Sequence, residues 1–126
     1  MTKTQKTEKG VVLYYGRNWR RGSIEQNKIS NIPKLEGKRV GLYILYKGKD
    51  IVYIGKSGRN LIGRLRQHNK NFDKSQWDYF TWFITNKTYT SDLEALIHHI
   101  FPDHRSIKLN RITARFVAAE KIPEKE

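Results

Sequence analysis

The sequence predicts a small α+β fold: a mixed or antiparallel β-sheet flanked by helices, with an extra strand on the N-terminal side. Three observations carry that expectation. The chain has 126 residues, enough for one hydrophobic core and too few for two. Hydrophobic residues make up 37% of it and aromatics 12%, so a core has to form beneath a heavily charged surface. The apolar runs change period in the order hairpin, helix, strand, helix, after one earlier strand-like run.

The earlier run is Val11-Val12-Leu13-Tyr14-Tyr15, β-branched and aromatic as strands are. Residues 16–22 follow as a basic, aromatic loop bracketed by Gly16 and Gly22, and residues 27–38, with Pro33 and Gly37, read as a connector. Residues 40–46 and 51–54 are apolar and joined by Lys47-Gly48-Lys49-Asp50, the length and composition of a hairpin turn. With that turn centred on Gly48, Tyr43 and Tyr53 are expected as cross-strand partners. Over residues 61–68, Leu61, Ile62 and Leu65 take helical spacing behind a polar cap. Residues 79–84 are apolar on both alternations, as a strand covered on both faces requires. Over residues 90–101, Leu93, Leu96, Ile97 and Ile100 form an amphipathic stripe stopped by Pro102. A last helix over 112–119 is expected to close the chain. Residues 1–39 are thus an N-terminal extension with one strand, part of the same domain as the core at 40–118, and 119–126 is a polar tail.

Lys and Arg number 25 against 12 Asp and Glu, a net charge of +13. Residues 1–39 carry ten of the basic and three of the acidic groups, so the positive field is denser there. A polyanionic partner follows from such a field. No apolar run approaches the roughly 18 residues that span a bilayer, and the first ten residues lack a signal-peptide core. The expectation is a cytoplasmic protein with no membrane partner. The absence of cysteine excludes disulfides, thiolate zinc sites and a cysteine nucleophile.

Four groups of residues could carry chemistry. Tyr43 and Tyr53 on the hairpin are flanked by Gly41 and Gly55, and glycine in a strand marks close approach by a ligand or another backbone. Arg64 and His68 are four apart on a helix and share a face, with Lys56 just upstream; a guanidinium, an ammonium and an imidazole can hold a phosphate and move a proton. Glu94 on the last stripe suits one hard divalent ion completed by water and phosphate oxygens, yet Ser91-Asp92-Leu93-Glu94 is equally a capping box. Asp92 and Glu94 point to different helix faces, which disfavours a two-metal cluster, and His98 alone supports zinc weakly. Finally, Tyr14, Tyr15, Arg17, Trp19, Arg20 and Arg21 combine phosphate-binding cations with rings able to stack on bases, and Lys56, Arg59 and Arg66 extend that basic surface. A solvated basic turn on an edge strand is the plainer account of the N-terminal set.

In order and spacing, Gly41-Leu42-Tyr43, then Tyr53-Ile54-Gly55-Lys56-Ser57, Asn60-Leu61, Arg64, His68, Glu94 and Leu109-Asn110 resemble the GIY-YIG nuclease family. The resemblance spans residues 40–112, and its one departure in the naming motif is Leu42 for isoleucine. It implies an endonuclease that hydrolyses DNA, with RNA as a further candidate, using one Mg2+ or Mn2+. By position, Glu94 is the implied metal ligand, Tyr43 the group that activates or orients water, and Tyr53 a second phenol at the scissile phosphate. Arg64 is the implied stabiliser of developing charge, Lys56 and His68 assist at the phosphate or with proton transfer, and Asn110 orders the site. The chain leaves no room for an appended reader domain, so low sequence specificity is expected, from a monomer or homodimer. A site-specific dimeric restriction-type enzyme and a catalytically silent nucleic-acid-binding module are the alternatives.

Overall fold

In a computed structural model, which describes residues 3–6 and 10–100, the first strand-like run is longer than its composition predicts. After a short β1 (Thr4–Lys6), β2 covers Val12–Arg20 and runs straight through the expected basic loop. The strand survives because it bulges: two residues, Arg17 and Asn18, face one residue of its neighbour between the pairs Gly16↔Trp82 and Trp19↔Phe80. Asn18 takes the left-handed conformation, φ 54°, which absorbs the extra residue. A single turn, α1 (Gly22–Glu25), precedes the connector, and a 3₁₀ turn over Lys28–Asn31 lies within it. They bury Ile24 and Ile29 under the sheet.

The hairpin forms as β3 (Gly41–Lys47) and β4 (Asp50–Ser57). Its register corrects the expected one. Tyr43 pairs with Gly55 and Leu45 with Tyr53, because the turn is centred between Gly48 and Lys49 and an irregularity follows between Leu45 and Tyr46. Tyr43 and Tyr53 are therefore diagonal neighbours, not direct partners. Helix α2 (Leu61–Asn71), β5 (Tyr79–Thr85) and α3 (Thr90–Ile100) complete the described chain. The expected helix at 112–119, Asn110 and the tail at 119–126 lie outside the described residues.

The sheet has five strands in the order β1-β2-β5-β3-β4, and every pairing is antiparallel. One face carries the larger core, in which Leu61, Ile62 and Leu65 of α2 meet Tyr43, Leu45, Phe80, Trp82 and Trp19. Trp19 packs edge-on against both Phe80 and Trp82. The opposite face holds Ile44 and Ile54 against Ile97 of α3. No helix among the described residues is long and apolar enough to cross a membrane. The fold is thus a small α+β one, a five-stranded antiparallel sheet with helices on both faces, and it sets Tyr43 on an inner strand beneath α2.

Candidate active site

Two glycines shape the strand surface on which the site is built. A Cβ on Gly41 would lie 1.7 Å from the backbone oxygen of Phe83, so only glycine lets β3 lie this close to β5 at the entry to the motif. A Cβ on Gly55 would lie 2.6 Å from Cζ and from the hydroxyl oxygen of Tyr43, and 2.7 Å from Cε1 of Tyr53. Glycine at 55 therefore leaves a bare patch of strand across which both phenols lie. The two rings stack with centroids 5.8 Å apart and planes within 9°.

Helix α2 brings its groups over that patch. The Asn60 side chain caps the helix by accepting from the Gly63 N–H at 2.9 Å, which fixes where the first turn starts. One turn later Arg64 stands exposed, and a further turn on His68 is partly buried. Nε2 of His68 is 2.8 Å from the Tyr43 hydroxyl. Its ring packs on Tyr53 at 4.4 Å and lies parallel to Phe72 at 5.3 Å. Burial, then the positive Arg64, push the imidazole down to about 4. Burial first, then Tyr53, push the Tyr43 phenol far above its usual 10; Glu94 adds to the rise and Arg64 opposes it. At neutral pH the pair is consequently an un-ionised phenol against a neutral imidazole. His68 does not supply the positive charge that would make Tyr43 more acidic; it offers a proton acceptor or donor at hydrogen-bond distance instead.

The capping-box account of Glu94 does not describe this helix. The first turn of α3 closes through Leu93 N–H on the Tyr89 carbonyl at 2.9 Å, and Ser91 Oγ accepts from Lys56 Nζ at 2.8 Å. The half-buried Glu94 carboxylate makes no hydrogen bond to a described residue. Burial pushes its pKa upward, against the pull of Lys56. His98, by contrast, is committed: its Nε2 donates to the Ile54 carbonyl at 3.2 Å and ties α3 to β4. No three acidic or histidine side chains among the described residues come close enough together to hold a metal ion. A single carboxylate remains, the donor set of a magnesium-type ion whose other ligands are water and phosphate.

Beside Arg64 an open groove of about 350 Å³ runs between the end of β4 and α2. Arg59, Asn60 and Gln67 line it with Ser57 and two glycines, and no apolar side chain enters. Arg59 and Arg64 are exposed, and neither is ion-paired to an acidic side chain among the described residues; Lys47 and Asp78 form an ion pair at the hairpin turn. Arg66 donates to Asn27 Oδ1 at 2.7 Å and remains exposed.

The N-terminal set expected to touch nucleic acid divides. Arg17 and Arg20 are exposed. Trp19 is 1% and Arg21 8% exposed, which corrects their assignment: β2 carries Trp19 into the core, and Arg21, just past the strand's end, is buried as well. Sequence reasoning also missed Phe72, which stacks on His68 from the end of α2. Phe72 is four residues beyond His68, a spacing that would have marked it as a neighbour had the helix been extended past residue 68. Comparison of the chain with known protein families, with curated proteins and with solved structures finds no match.

Proposed function

We propose that the chain is a divalent-metal-dependent endonuclease of the GIY-YIG type, hydrolysing DNA phosphodiester bonds with little sequence specificity. The observation that carries this reading is the Tyr43 hydroxyl held 2.8 Å from neutral His68 while the charges of Arg64 and Glu94 both bear on it. A solvated basic face has no use for that convergence. In the Nδ1–H tautomer, His68 Nε2 accepts the Tyr43 proton as the phenol oxygen takes one from the attacking water. The water-derived oxygen then bonds to phosphorus, the bond to the leaving ester oxygen breaks, and that oxygen takes its proton from solvent water. The buried phenol is a poor base alone; passing its proton to the imidazole in the same step avoids a free phenolate, and the low basicity of that ring makes the proton easy to release afterwards.

Arg64, whose donors no described residue uses and whose charge bears on both Tyr43 and His68, would stabilise the charge that gathers on the phosphate in the transition state. Tyr53 is positioned to donate to the same phosphate. Glu94 would hold the Mg2+ or Mn2+, which when bound supplies Lewis-acid polarisation of the phosphate. Lys56, anchored on Ser91, keeps a positive charge beside that carboxylate. A silent binding module needs the cations but not a half-buried carboxylate that makes no hydrogen bond to a described residue, and this favours the enzyme.

The test is incubation of purified protein with Mg2+ or Mn2+ and single-stranded, duplex and branched DNA. Nicking that disappears with chelator, and that Glu94→Ala abolishes with melting temperature and DNA binding retained, is expected. Intact DNA and RNA under every condition would make the silent module the better account. Sequencing the cut ends separates low specificity from a dimeric restriction-type enzyme, which cuts both strands at one offset.

A further inference from the structure

We propose that Arg21 is a positioning residue: by engaging the backbone that ends α2, its guanidinium fixes His68 against the Tyr43 hydroxyl. The proposal rests on the reading of Tyr43 and His68 as the reacting pair.

A helix end leaves carbonyls without intrahelical donors, and many helices satisfy them with a left-handed glycine. Helix α2 has none; its C-cap, Phe72, is extended, and only the Phe72 N–H returns to the His68 carbonyl. Arg21 takes over the task from the turn between β2 and α1, 48 residues from Asn69 in sequence. Its Nε donates to Asn69 Oδ1 at 2.8 Å. One terminal nitrogen donates to the Asp73 and Trp77 carbonyls at 2.8 and 3.0 Å. The other donates to the Asn69 carbonyl at 2.9 Å and to the Phe72 carbonyl. Every N–H of the guanidinium is used, and the Trp77 ring lies beneath it at 4.2 Å.

Two of the residues so held, Phe72 and Trp77, touch His68. The Phe72 ring lies parallel to the imidazole, and the Phe72 N–H donates to the His68 carbonyl at 3.1 Å. Trp77 Nε1 donates to that carbonyl at 3.4 Å. The remaining neighbours, Tyr43 and Tyr53 on the hairpin and Arg64 one turn back, do not depend on Arg21. If the clamp opens, the imidazole loses its support on the α2 side alone and drifts from the phenol. A misplacement of about 1 Å costs roughly 10²-fold in rate. Lysine cannot reproduce the clamp, since one ammonium lacks the planar fork that reaches several carbonyls together.

The experiment compares the full chain with Arg21→Lys, Arg21→Met and Asn69→Ala, well below their melting temperatures, by NMR and by single-turnover cleavage. For folded Arg21 variants we expect loss of the nuclear Overhauser contacts between the His68 and Tyr43 rings. We also expect kcat to fall roughly 10²-fold with KM changed less than about twofold, and methylguanidinium to restore part of both in Arg21→Ala. Unchanged ring contacts and turnover in a folded Arg21→Lys would reduce the residue to a structural brace and overturn the proposal. Should the Arg21 variants fail to fold, Asn69→Ala, which removes one acceptor and keeps the guanidinium, decides by the same two readouts. Should the parent chain cleave nothing, the ring contacts alone decide, and it is the nuclease reading that falls.

Discussion

Residues 17–21 and residues 59–66 are alike in composition: each opens on Arg-Asn, each holds at least three arginines, and each interleaves them with apolar side chains. The fold uses them oppositely. In the first, Trp19 and Arg21 go inside while Arg17 and Arg20 stay in water; in the second, Leu61, Ile62 and Leu65 go inside and Arg59, Arg64 and Arg66 all stay out. The difference lies in the supply of oxygens. Arg21 enters where five acceptors replace its water, whereas the Arg64 side chain meets none among the described residues. A guanidinium is buried only when its donors are satisfied, and one left unsatisfied beside a reactive pair is available to a ligand.

The largest effect should come from removing the unsatisfied arginine. Arg64→Ala should lower kcat by roughly 10²–10³-fold while unfolding free energy, from urea titration, moves by less than about 0.5 kcal/mol. Arg64→Lys should recover only part of the rate, because an ammonium is not a planar fork. Normal turnover in Arg64→Ala would erase the distinction between the two arginines.

Arg21→Met should differ in stability: beside its fall in kcat it should lose about 1–3 kcal/mol, because several carbonyls are left buried without donors. Urea midpoints for the two variants, measured side by side, test that difference directly. A smaller contrast should appear in DNA binding. Arg59→Ala should reduce the slope of log K against log salt by about one, and Gly58→Leu should weaken binding by projecting into the groove where a new side chain meets no protein atom. Arg21→Met should leave the slope unchanged. Equal slopes for Arg59→Ala and the parent chain would remove the groove from the path of the nucleic acid.

The smallest effect is one of pH. The folded chain holds His68 near 4 where an unfolded chain titrates at 6.5. Between those values the unfolded chain takes a proton that the folded one refuses, so stability is complete above about 6.5 and declines as pH falls toward 4. Proton NMR should find the His68 imidazole still neutral at pH 5.5. A midpoint near 6.5 would mean that the ring is solvated and that the Tyr43 contact is not maintained.

Much of this arrangement was legible in the residues. The hairpin, the α2 stripe, β5 and α3 follow from period and turn chemistry; of the residues singled out by spacing, Tyr43, Tyr53 and His68 touch one another, while Arg64 and Glu94 act on Tyr43 through their charge. What escaped was decided by contacts distant in sequence or by one-residue irregularities. The Tyr43↔Gly55 register depends on the turn's centre and an irregularity between Leu45 and Tyr46 that leave little trace in composition. Strand β2 crosses Gly16 and the Arg-Asn bulge because β5 is there to pair with it. Trp19 and Arg21 looked like a nucleic-acid surface because the acceptors that bury Arg21 lie some fifty residues on. The capping-box alternative for Glu94 turned on a contact from another element, Lys56 to Ser91, that local sequence does not carry.

The pairing of β2 with β5 joins residue 12 to residue 85 and residue 20 to residue 79, and it imposes an order of assembly. The hairpin and α2 can meet through neighbours close in the chain, whereas β2 must wait for a strand synthesised some sixty residues later. At about 5–20 residues per second on the ribosome, that wait lasts several seconds, with Trp19 and Arg21 facing water throughout. Contacts of such long range close late, so His68 receives its support only after β5 has emerged. Substitutions that weaken the β2–β5 seam should therefore speed unfolding more than they slow folding.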